Sequence, residues 1–188
     1  MVAIGVTGHR TLINEEQLLS GVDQVLDRIQ GALPNTKITI ISPLAEGADR
    51  LVAWRAMTKK DADLIVPLPL DVSEYMQDFS SKYSKAEFAT LLEQATQVID
   101  LPHMMHREDS YLAAGLYVLK QCDILIAIWD GQPARGAGGT AQIVILAREH
   151  QKPLAWIFAG HHGQDNSSAS LLEYKPGEVI YENFPQTS

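Results

Sequence analysis

The residues that could do chemistry are concentrated where an apolar run is followed by a cluster of glycines. The run Ile124–Trp129 has the length of a strand that is buried on both faces. Gly136, Gly138 and Gly139 then precede Thr140, which opens an apolar segment too long for a typical strand. Glycines let a ligand approach the backbone, and the free amides of a first helical turn favour an anion such as a phosphate. The stretch therefore predicts a strand, a phosphate-binding loop and a helix, unless the glycines serve only tight turning and helix packing.

The segment between this strand and its glycines carries Trp129, Asp130, Gly131 and Arg135. Trp129 stands at a strand end, where it could stack on a nucleobase or fill the core. Asp130 could act as an acid or a base. We expect Trp129, Gly131 and Arg135 to contact a ligand.

A second candidate loop follows the first predicted strand and contains Gly8, His9 and Arg10. An arginine at a strand end can bind a phosphate through two parallel hydrogen bonds. The alternative role for Arg10 is a salt bridge on the rim of the sheet.

A third candidate loop opens the second predicted helix and carries Glu46, Gly47, Asp49 and Arg50. Acidic residues near a helix N-terminus can simply complement the helix dipole. Glu46 and Asp49 could instead hold ribose hydroxyls or act as a general base, and both roles stay open. Arg50 is a second candidate for closing on a phosphate.

Strands and helices alternate along the chain, and this arrangement positions the three loops. The predicted strands cover residues 2–6, 37–42, 62–68, 98–101, 124–129 and 152–158. Helices are predicted over residues 15–29, with Asn14 as the cap, over residues 85–94, and over residues 110–121, with Ser110 as the cap. A further helix follows the third candidate loop and ends at about residue 57, and another begins after Gly139. Residues 71–84 are predicted to form a polar segment that connects a strand to the next helix. About six strands with intervening helices predict a Rossmann-like, doubly wound α/β fold with a mainly parallel sheet and helices on both faces.

The expected domain organisation is one Rossmann-like domain over residues 1–158, followed by a loop and tail over residues 159–188. Within the tail, residues 171–185 could form a short helix, an edge strand or irregular chain. In doubly wound sheets ligands bind outside the carboxyl ends of the strands, where all three candidate loops fall.

The composition narrows the classes of partner. Of 188 residues, 46% are hydrophobic, no apolar run is long enough for a membrane span, and no signal peptide is recognisable, so a cytoplasmic location is expected. The single cysteine, Cys122, excludes an internal disulfide and a zinc cluster. A net charge of -8 argues against a nucleic-acid partner, because a phosphate backbone needs a basic surface. A small phosphorylated ligand in one local basic pocket stays possible.

Three segments together resemble the SLOG superfamily of Rossmann-like domains. They are Val6-Thr-Gly-His-Arg10, Ser42-Pro-Leu-Ala-Glu-Gly-Ala-Asp49, and the stretch from Cys122 to Gly131 with Gly138-Gly-Thr-Ala141. The first two are similar to the DNA-processing protein A branch, and the Gly-Gly-Thr is shared with the lysine decarboxylase-like phosphoribohydrolases that activate cytokinins. The resemblance covers residues 2–157 and implies a pocket for a nucleotide or a nucleotide-derived ligand.

The sequence departs from the phosphoribohydrolases at the residue that matters for catalysis. Their motif Pro-Gly-Gly-x-Gly-Thr-x-x-Glu ends in a catalytic glutamate, and Ile143 stands at that position here. Arg107 lies in about the region of a second arginine of those enzymes. The resemblance therefore implies a sensor or carrier module for a nucleotide-like ligand, with no cofactor or metal required.

Two questions stay open at this point. The alternative to a binding module is an N-glycosidic hydrolase in which Glu46, Asp49 or Asp130 replaces the missing carboxylate, so the sequence leaves catalysis undecided. The helix predicted over residues 110–121 carries more apolar surface than one packed face needs, which predicts a homodimer or a larger even assembly.

Overall fold

The computed structural model describes residues 1–133, 139–160 and 174–185. The predicted site residues Arg135 and Gly138, together with Gly136, lie outside these ranges. The strands are β1 (Val2–Gly8), β2 (Ile38–Ile41), β3 (Asp63–Leu68), β4 (Gln97–Asp100), β5 (Ile124–Trp129), β6 (Leu154–Phe158) and β7 (Val179–Glu182). The helices are α1 (Glu15–Ala32), α2 (Ala48–Lys60), α3 (Val72–Tyr75), α4 (Lys82–Glu93), α5 (Arg107–Gln121) and α6 (Thr140–Glu149), with a 3-10 turn (Met76–Asp78) after α3.

The strands form a single seven-stranded sheet in the order β4-β3-β2-β1-β5-β6-β7. The pairs from β4 to β6 are parallel, and β7 pairs antiparallel with β6. The chain moves outward from β1 to β4 and then returns to the other side of β1 to form β5. This reversal is a topological switch point, the place where doubly wound sheets bind ligands. The predicted Rossmann-like fold is confirmed, and residues 179–182 add a seventh strand at the edge.

The sheet is covered on both faces because its central strands are apolar throughout. Every residue of β5 is buried, and alternate side chains point to opposite faces. On one face Ile4 and Ile126 pack with the apolar stripe of α1 and with α2. On the other face Leu125 and Ala127 pack with α5 and α6. Two buried faces hold β1 and β5 rigidly, so their carboxyl ends are fixed in position.

One of the two predicted helix starts has the predicted N-cap residue, and the other does not. Asn14 occupies the N-cap of α1, but its backbone is left-handed (φ 59°) and its side chain makes no capping hydrogen bond. Helix α5 begins at Arg107 rather than at Ser110, and the buried Ser110 hydroxyl accepts a hydrogen bond from Met104 N at 3.1 Å. Ser110 therefore anchors the incoming loop from inside the first turn.

The segment that was predicted to be a polar connection contains α3 and the 3-10 turn. Tyr75 and Phe79 are buried there, and their rings pack against Phe88 of α4. Within the described ranges, no helix is both long and apolar enough to cross a membrane.

Candidate functional site

A pocket of about 140 Å³ opens at the carboxyl ends of the strands, beside the switch point between β1 and β5. Its walls come from the end of β1, the loops after β2 and β3, helices α3 and α5, and the start of α6. Residues from all three predicted loops meet in it, namely Gly8, Arg10, Asp49, Gly139 and Thr140. The placement of the loops at one sheet edge is what brings these residues together.

Asp49 supplies a buried carboxyl group to this pocket, and only 5% of the residue is exposed. Its Oδ2 accepts a hydrogen bond from Ala45 N at 3.2 Å. Burial raises the pKa of Asp49 from 3.8 to about 7, because the charged form loses its hydration. Hydrogen bonds from Ser42 and Ala45 act in the opposite direction, as do the charges of Arg10 and Arg50. Asp49 can therefore be an acid or a carboxylate near neutral pH.

Arg10 and Tyr111 are neighbours on the pocket wall. Arg10 is exposed, and its guanidinium carbon lies 5.3 Å from the centroid of the Tyr111 ring. The Tyr111 hydroxyl makes a hydrogen bond with the carboxylate of Asp78. Burial and then this hydrogen bond raise the pKa of Tyr111. A positive charge and an aromatic face therefore stand side by side at the opening.

Tyr75 and two prolines complete the wall, and the sequence reasoning missed all three. Tyr75 is buried, and burial and then the charge of Asp49 raise the pKa of its hydroxyl. Pro43 and Pro69 line the pocket from the loops after β2 and β3. Two features of the sequence could have identified them: a proline directly after a predicted strand, and the helical spacing of Val72, Tyr75 and Phe79.

The start of α6 reaches the pocket through Gly139 and Thr140. Gly139 is the N-cap, and its carbonyl accepts hydrogen bonds from Gln142 N at 3.0 Å and Ile143 N at 3.3 Å. Ile143, which stands where the phosphoribohydrolases have their glutamate, is buried and lines the pocket. That position therefore contributes apolar surface instead of acid–base chemistry.

Glu46 lies outside the pocket, although it is three residues from Asp49. Its carboxylate accepts hydrogen bonds from Ser80 N at 2.8 Å, from the Ser80 hydroxyl at 2.7 Å and from the Ser84 hydroxyl. Burial raises the pKa of Glu46, but these hydrogen bonds outweigh it, so the pKa is below its ordinary value. Glu46 ties the loop after β2 to the start of α4 and is not placed to act on a ligand.

Arg50 also has a structural role in place of the predicted ligand contact. It is 2% exposed, and its guanidinium donates to the carbonyl oxygens of Leu44 and Ser84, to the Ser84 hydroxyl and to Glu87. Its guanidinium carbon lies 4.3 Å from the centroid of the Phe79 ring. These contacts lie within the protein, although Nη2 is buried with no hydrogen-bond partner among the described residues. Arg50 does not line this pocket, so we do not expect it to reach a ligand there.

Arg107 is held by acidic side chains at the start of α5. Its guanidinium donates to the Glu74 carboxylate, to the Glu74 carbonyl oxygen at 3.0 Å and to Asp78 at 2.9 Å. Arg107 therefore joins α5 to α3 and the 3-10 turn and lies outside the pocket. Its effect on the site is indirect, because Asp78 also binds the hydroxyl of Tyr111.

The turn after β5 is held by contacts among its own predicted residues. Asp130 is 4% exposed, its N donates to His9 Nε2 at 3.1 Å, and its Oδ1 accepts from Gln132 N at 3.0 Å. The Trp129 indole nitrogen donates to the Gln132 carbonyl oxygen, and its ring packs 5.5 Å from that of Trp156. Trp129 therefore fills the core, and Asp130 and His9 join the turn to the end of β1.

Close packing explains two of the predicted glycines. Gly47 has φ +79°, and a Cβ there would lie 2.4 Å from the carbonyl oxygens of both His9 and Arg10. A Cβ on Gly8 would lie 2.3 Å from the side chain of the first residue of α2. Both glycines let the loop after β2 approach the end of β1, and Gly131 adopts φ +80° in the turn after β5.

The described residues contain no group of three or more histidine, cysteine, aspartate or glutamate side chains placed to hold a metal ion. The apolar residues of α5 that suggested a dimer interface differ in exposure. Leu119 is buried and Leu116 is 41% exposed. The homodimer stays a prediction.

The strand order defines a Rossmann-like α/β domain, and its pocket lies at the carboxyl edge of the sheet. Among solved structures, this chain is similar to DNA processing protein A from Helicobacter pylori, which is described for its single-stranded DNA binding mode. The two are 19% identical with a TM-score of 0.51, and the match covers 81% of this chain and 63% of that one. DNA processing protein A (DprA) from Streptococcus pneumoniae is 16% identical with a TM-score of 0.52, over 88% of this chain and 52% of that one. This chain therefore spans only part of each neighbour. No family model and no curated protein matches the sequence.

These neighbours share the fold, and one of them contradicts two of the predictions. A small nucleotide was the expected ligand, and nucleic acid was argued against, but the Helicobacter pylori protein is described for binding single-stranded DNA. The argument from net charge was wrong because net charge says little about one pocket. A sum over the chain does not show where the charges lie: the exposed Arg10 lines the pocket, whereas Asp23 lies on α1 beside Arg55 and Lys59.

Proposed function

We propose that the pocket at the carboxyl edge binds single-stranded DNA. The observation that carries the proposal is the pairing of the exposed Arg10 with the Tyr111 ring at 5.3 Å, directly at the pocket opening. Proteins that bind single strands combine a positive charge for the backbone with an aromatic face on which a base stacks. The fold shared with the single-stranded-DNA-binding neighbour supports the same assignment. A cytoplasmic location belongs to this proposal.

Arg10 and the start of α6 are the groups suited to the sugar-phosphate backbone. A guanidinium can bind a phosphate through two hydrogen bonds, and the first amides of a helix favour an anion. Gly139 and Thr140 lie on the wall of the same pocket as Arg10. One phosphate can therefore be contacted from two sides, while the strand continues across the edge of the sheet.

The net charge of -8 predicts how this binding responds to salt. Each neutralised phosphate of a single strand contributes a slope of about -0.7 to a plot of log affinity against log salt. With one or two phosphates contacted, we expect a slope of about -1, whereas a protein with a broad basic groove shows a slope several times steeper. Binding should depend on the pocket more than on long-range charge.

The test is fluorescence anisotropy with a labelled single-stranded oligonucleotide, with the matching duplex as competitor. Arg10→Ala should weaken binding about tenfold or more, similarly for all base sequences, because a charge-assisted contact is lost. Arg148→Ala is the matched control, since Arg148, in the last turn of α6, pairs with Glu182 of β7 and does not line the pocket. Absence of binding to any single strand, or equal losses in the two variants, would refute the proposed function.

Tyr111 offers an independent test of the aromatic contact. Tyr111→Leu should weaken binding about tenfold, because stacking a base on an aromatic ring stabilises a complex by about 1–3 kcal/mol. Tyr111→Phe keeps the ring and loses only the hydroxyl contact with Asp78, so it should bind nearly as well as the parent protein. If leucine and phenylalanine behave alike, the ring does not stack on a base.

A further inference from the structure

We propose that the pocket receives one unstacked base of the single strand and that Asp49 selects cytosine at that position. This inference rests on the proposed function and goes beyond it, because it assigns a base specificity to one residue. The size of the pocket, the nature of its walls and the hydrogen-bonding capacity of the buried carboxyl group support this assignment.

The size of the pocket favours a single six-membered ring. A cavity of about 150 Å³ in a protein core can hold a benzene molecule. The pocket here measures about 140 Å³, which is close to the volume of one six-membered ring and so favours a pyrimidine over a purine. The predicted order of preference by size is therefore pyrimidine before purine.

The walls are suited to the faces and edges of a flat ring. Besides two tyrosines, the lining contains small and apolar side chains, including Pro43, Pro69, Ala114, Val118 and Ile143. Sites for flat organic ligands are mostly apolar, with a few polar groups that set orientation. Arg10 lines the same pocket and is exposed, so a base that enters with its ring inside leaves its phosphate near the guanidinium.

The carboxylate of Asp49 decides between the two pyrimidines. An ionised carboxylate only accepts hydrogen bonds. Cytosine presents an N4 amino group that donates to an aspartate or glutamate, whereas thymine presents a carbonyl oxygen at the same place. Thymine would therefore bring an oxygen lone pair against a buried carboxylate, which leaves both acceptors without a donor. Asp49 is the buried acidic residue on the described wall of this pocket.

Protonation of Asp49 should remove the selectivity, because a carboxylic acid both donates and accepts and so can pair with either pyrimidine. Three charged or titratable groups act on this carboxyl group: Arg10 from the loop after β1, Arg50 on α2 and Tyr75 on α3. The arginines favour the ionised form, and burial favours the neutral form. The choice of base should follow the ionisation of Asp49.

The experiment uses the full chain and a short labelled oligodeoxynucleotide in which every position except the central one is an abasic spacer. The central position carries cytosine, thymine, adenine or guanine, and the four affinities are measured at about pH 8, where Asp49 is ionised. We expect cytosine to bind about tenfold more tightly than thymine, the size typical of one good pair of base contacts. At about pH 6 the ratio should fall to about twofold or less.

The variant Asp49→Asn should bind cytosine and thymine with similar affinity at both pH values, because an amide donates and accepts. Glu46→Gln is the matched control, since it removes one negative charge from the same loop outside the pocket, and it should keep the preference for cytosine. If Asp49→Asn does not fold, the loss of preference in the parent protein between about pH 8 and pH 6 tests the same point.

The outcomes separate the two proposals. Equal binding of all four strands, or a preference for guanine, would overturn the selection of cytosine and leave single-strand binding intact. A preference for cytosine that survives in Asp49→Asn would assign the selectivity to another group. Absence of binding to every strand, including a natural oligonucleotide with all its bases, would overturn the proposed function itself.

Discussion

Replacement of Asp49 by asparagine should stabilise the protein above neutral pH. The folded protein binds a proton at Asp49 with a pKa of about 7, against 3.8 for an aspartate in water. Between these two pH values the folded chain carries the proton and the unfolded chain does not. The free energy of unfolding therefore falls as pH rises through this interval, because the folded state binds more protons than the unfolded state.

The magnitude follows from the pKa difference of about three, since each pKa unit corresponds to about 1.4 kcal/mol. Ionisation of Asp49 should lower the free energy of unfolding by up to about 4 kcal/mol between pH 4 and pH 8. Asparagine has nearly the same shape, and its Oδ1 can still accept the hydrogen bond from Ala45 N. Asp49→Asn should therefore gain most of this free energy at about pH 8 and gain nothing at about pH 4.

Urea unfolding followed by tryptophan fluorescence at a series of pH values measures the difference. Glu46→Gln is the informative control because the pKa of Glu46 is lowered in the folded state. A lowered pKa contributes stability above the ordinary pKa, so this variant should be less stable than the parent protein at neutral pH. A parent protein whose stability does not fall between about pH 4 and pH 8, or an Asp49→Asn variant that is less stable at about pH 8, would refute the burial argument.

Three further predictions test the structural assignments. Arg50→Ala should lower the free energy of unfolding by about 3 kcal/mol in urea titrations, because buried acceptors at Leu44 and Ser84 lose their donor. Gly47→Ala should lower it by about 2 kcal/mol or more, because its φ of +79° and the carbonyl oxygens 2.4 Å away exclude a Cβ; an unchanged Tm would refute this. The thiol of Cys122 is 2% exposed and burial raises its pKa to about 11, so a disulfide reagent should label it only after unfolding.

The fold could be predicted because hydrophobic patterns depend on neighbours along the chain. The strand Ile124–Trp129 has the bounds that its apolar run predicted, and α1 buries the residues whose spacing indicated a helix. The loops also fell at the predicted edge, since parallel strands bring their carboxyl ends together. The chain order of strands and helices was sufficient to place Gly8, Arg10 and Asp49 near one another.

The roles of individual charged side chains could not be predicted in this way. Arg50 has the position of a ligand-binding arginine, but its partners Ser84 and Glu87 lie more than thirty residues further along the chain. The role of Arg107 could not be predicted either, because its acidic partners belong to the segment that was predicted to be a polar connection. Net charge failed for a related reason, because a sum over the whole chain does not show where on the surface the charges lie.

The pair Glu46 and Asp49 shows what the structure adds. The two carboxylates belong to one loop and are equivalent in sequence as candidates for capping or ligand contact. In the fold, three donors from Ser80 and Ser84 lower the pKa of Glu46, whereas burial beside an open pocket raises that of Asp49 to about 7. An acidic group with a raised pKa that lines a pocket is typical of a binding or catalytic residue. On this reasoning Glu46 holds the loop after β2 in place, and Asp49, in the first turn of α2, is the carboxyl group through which we expect the pocket to act.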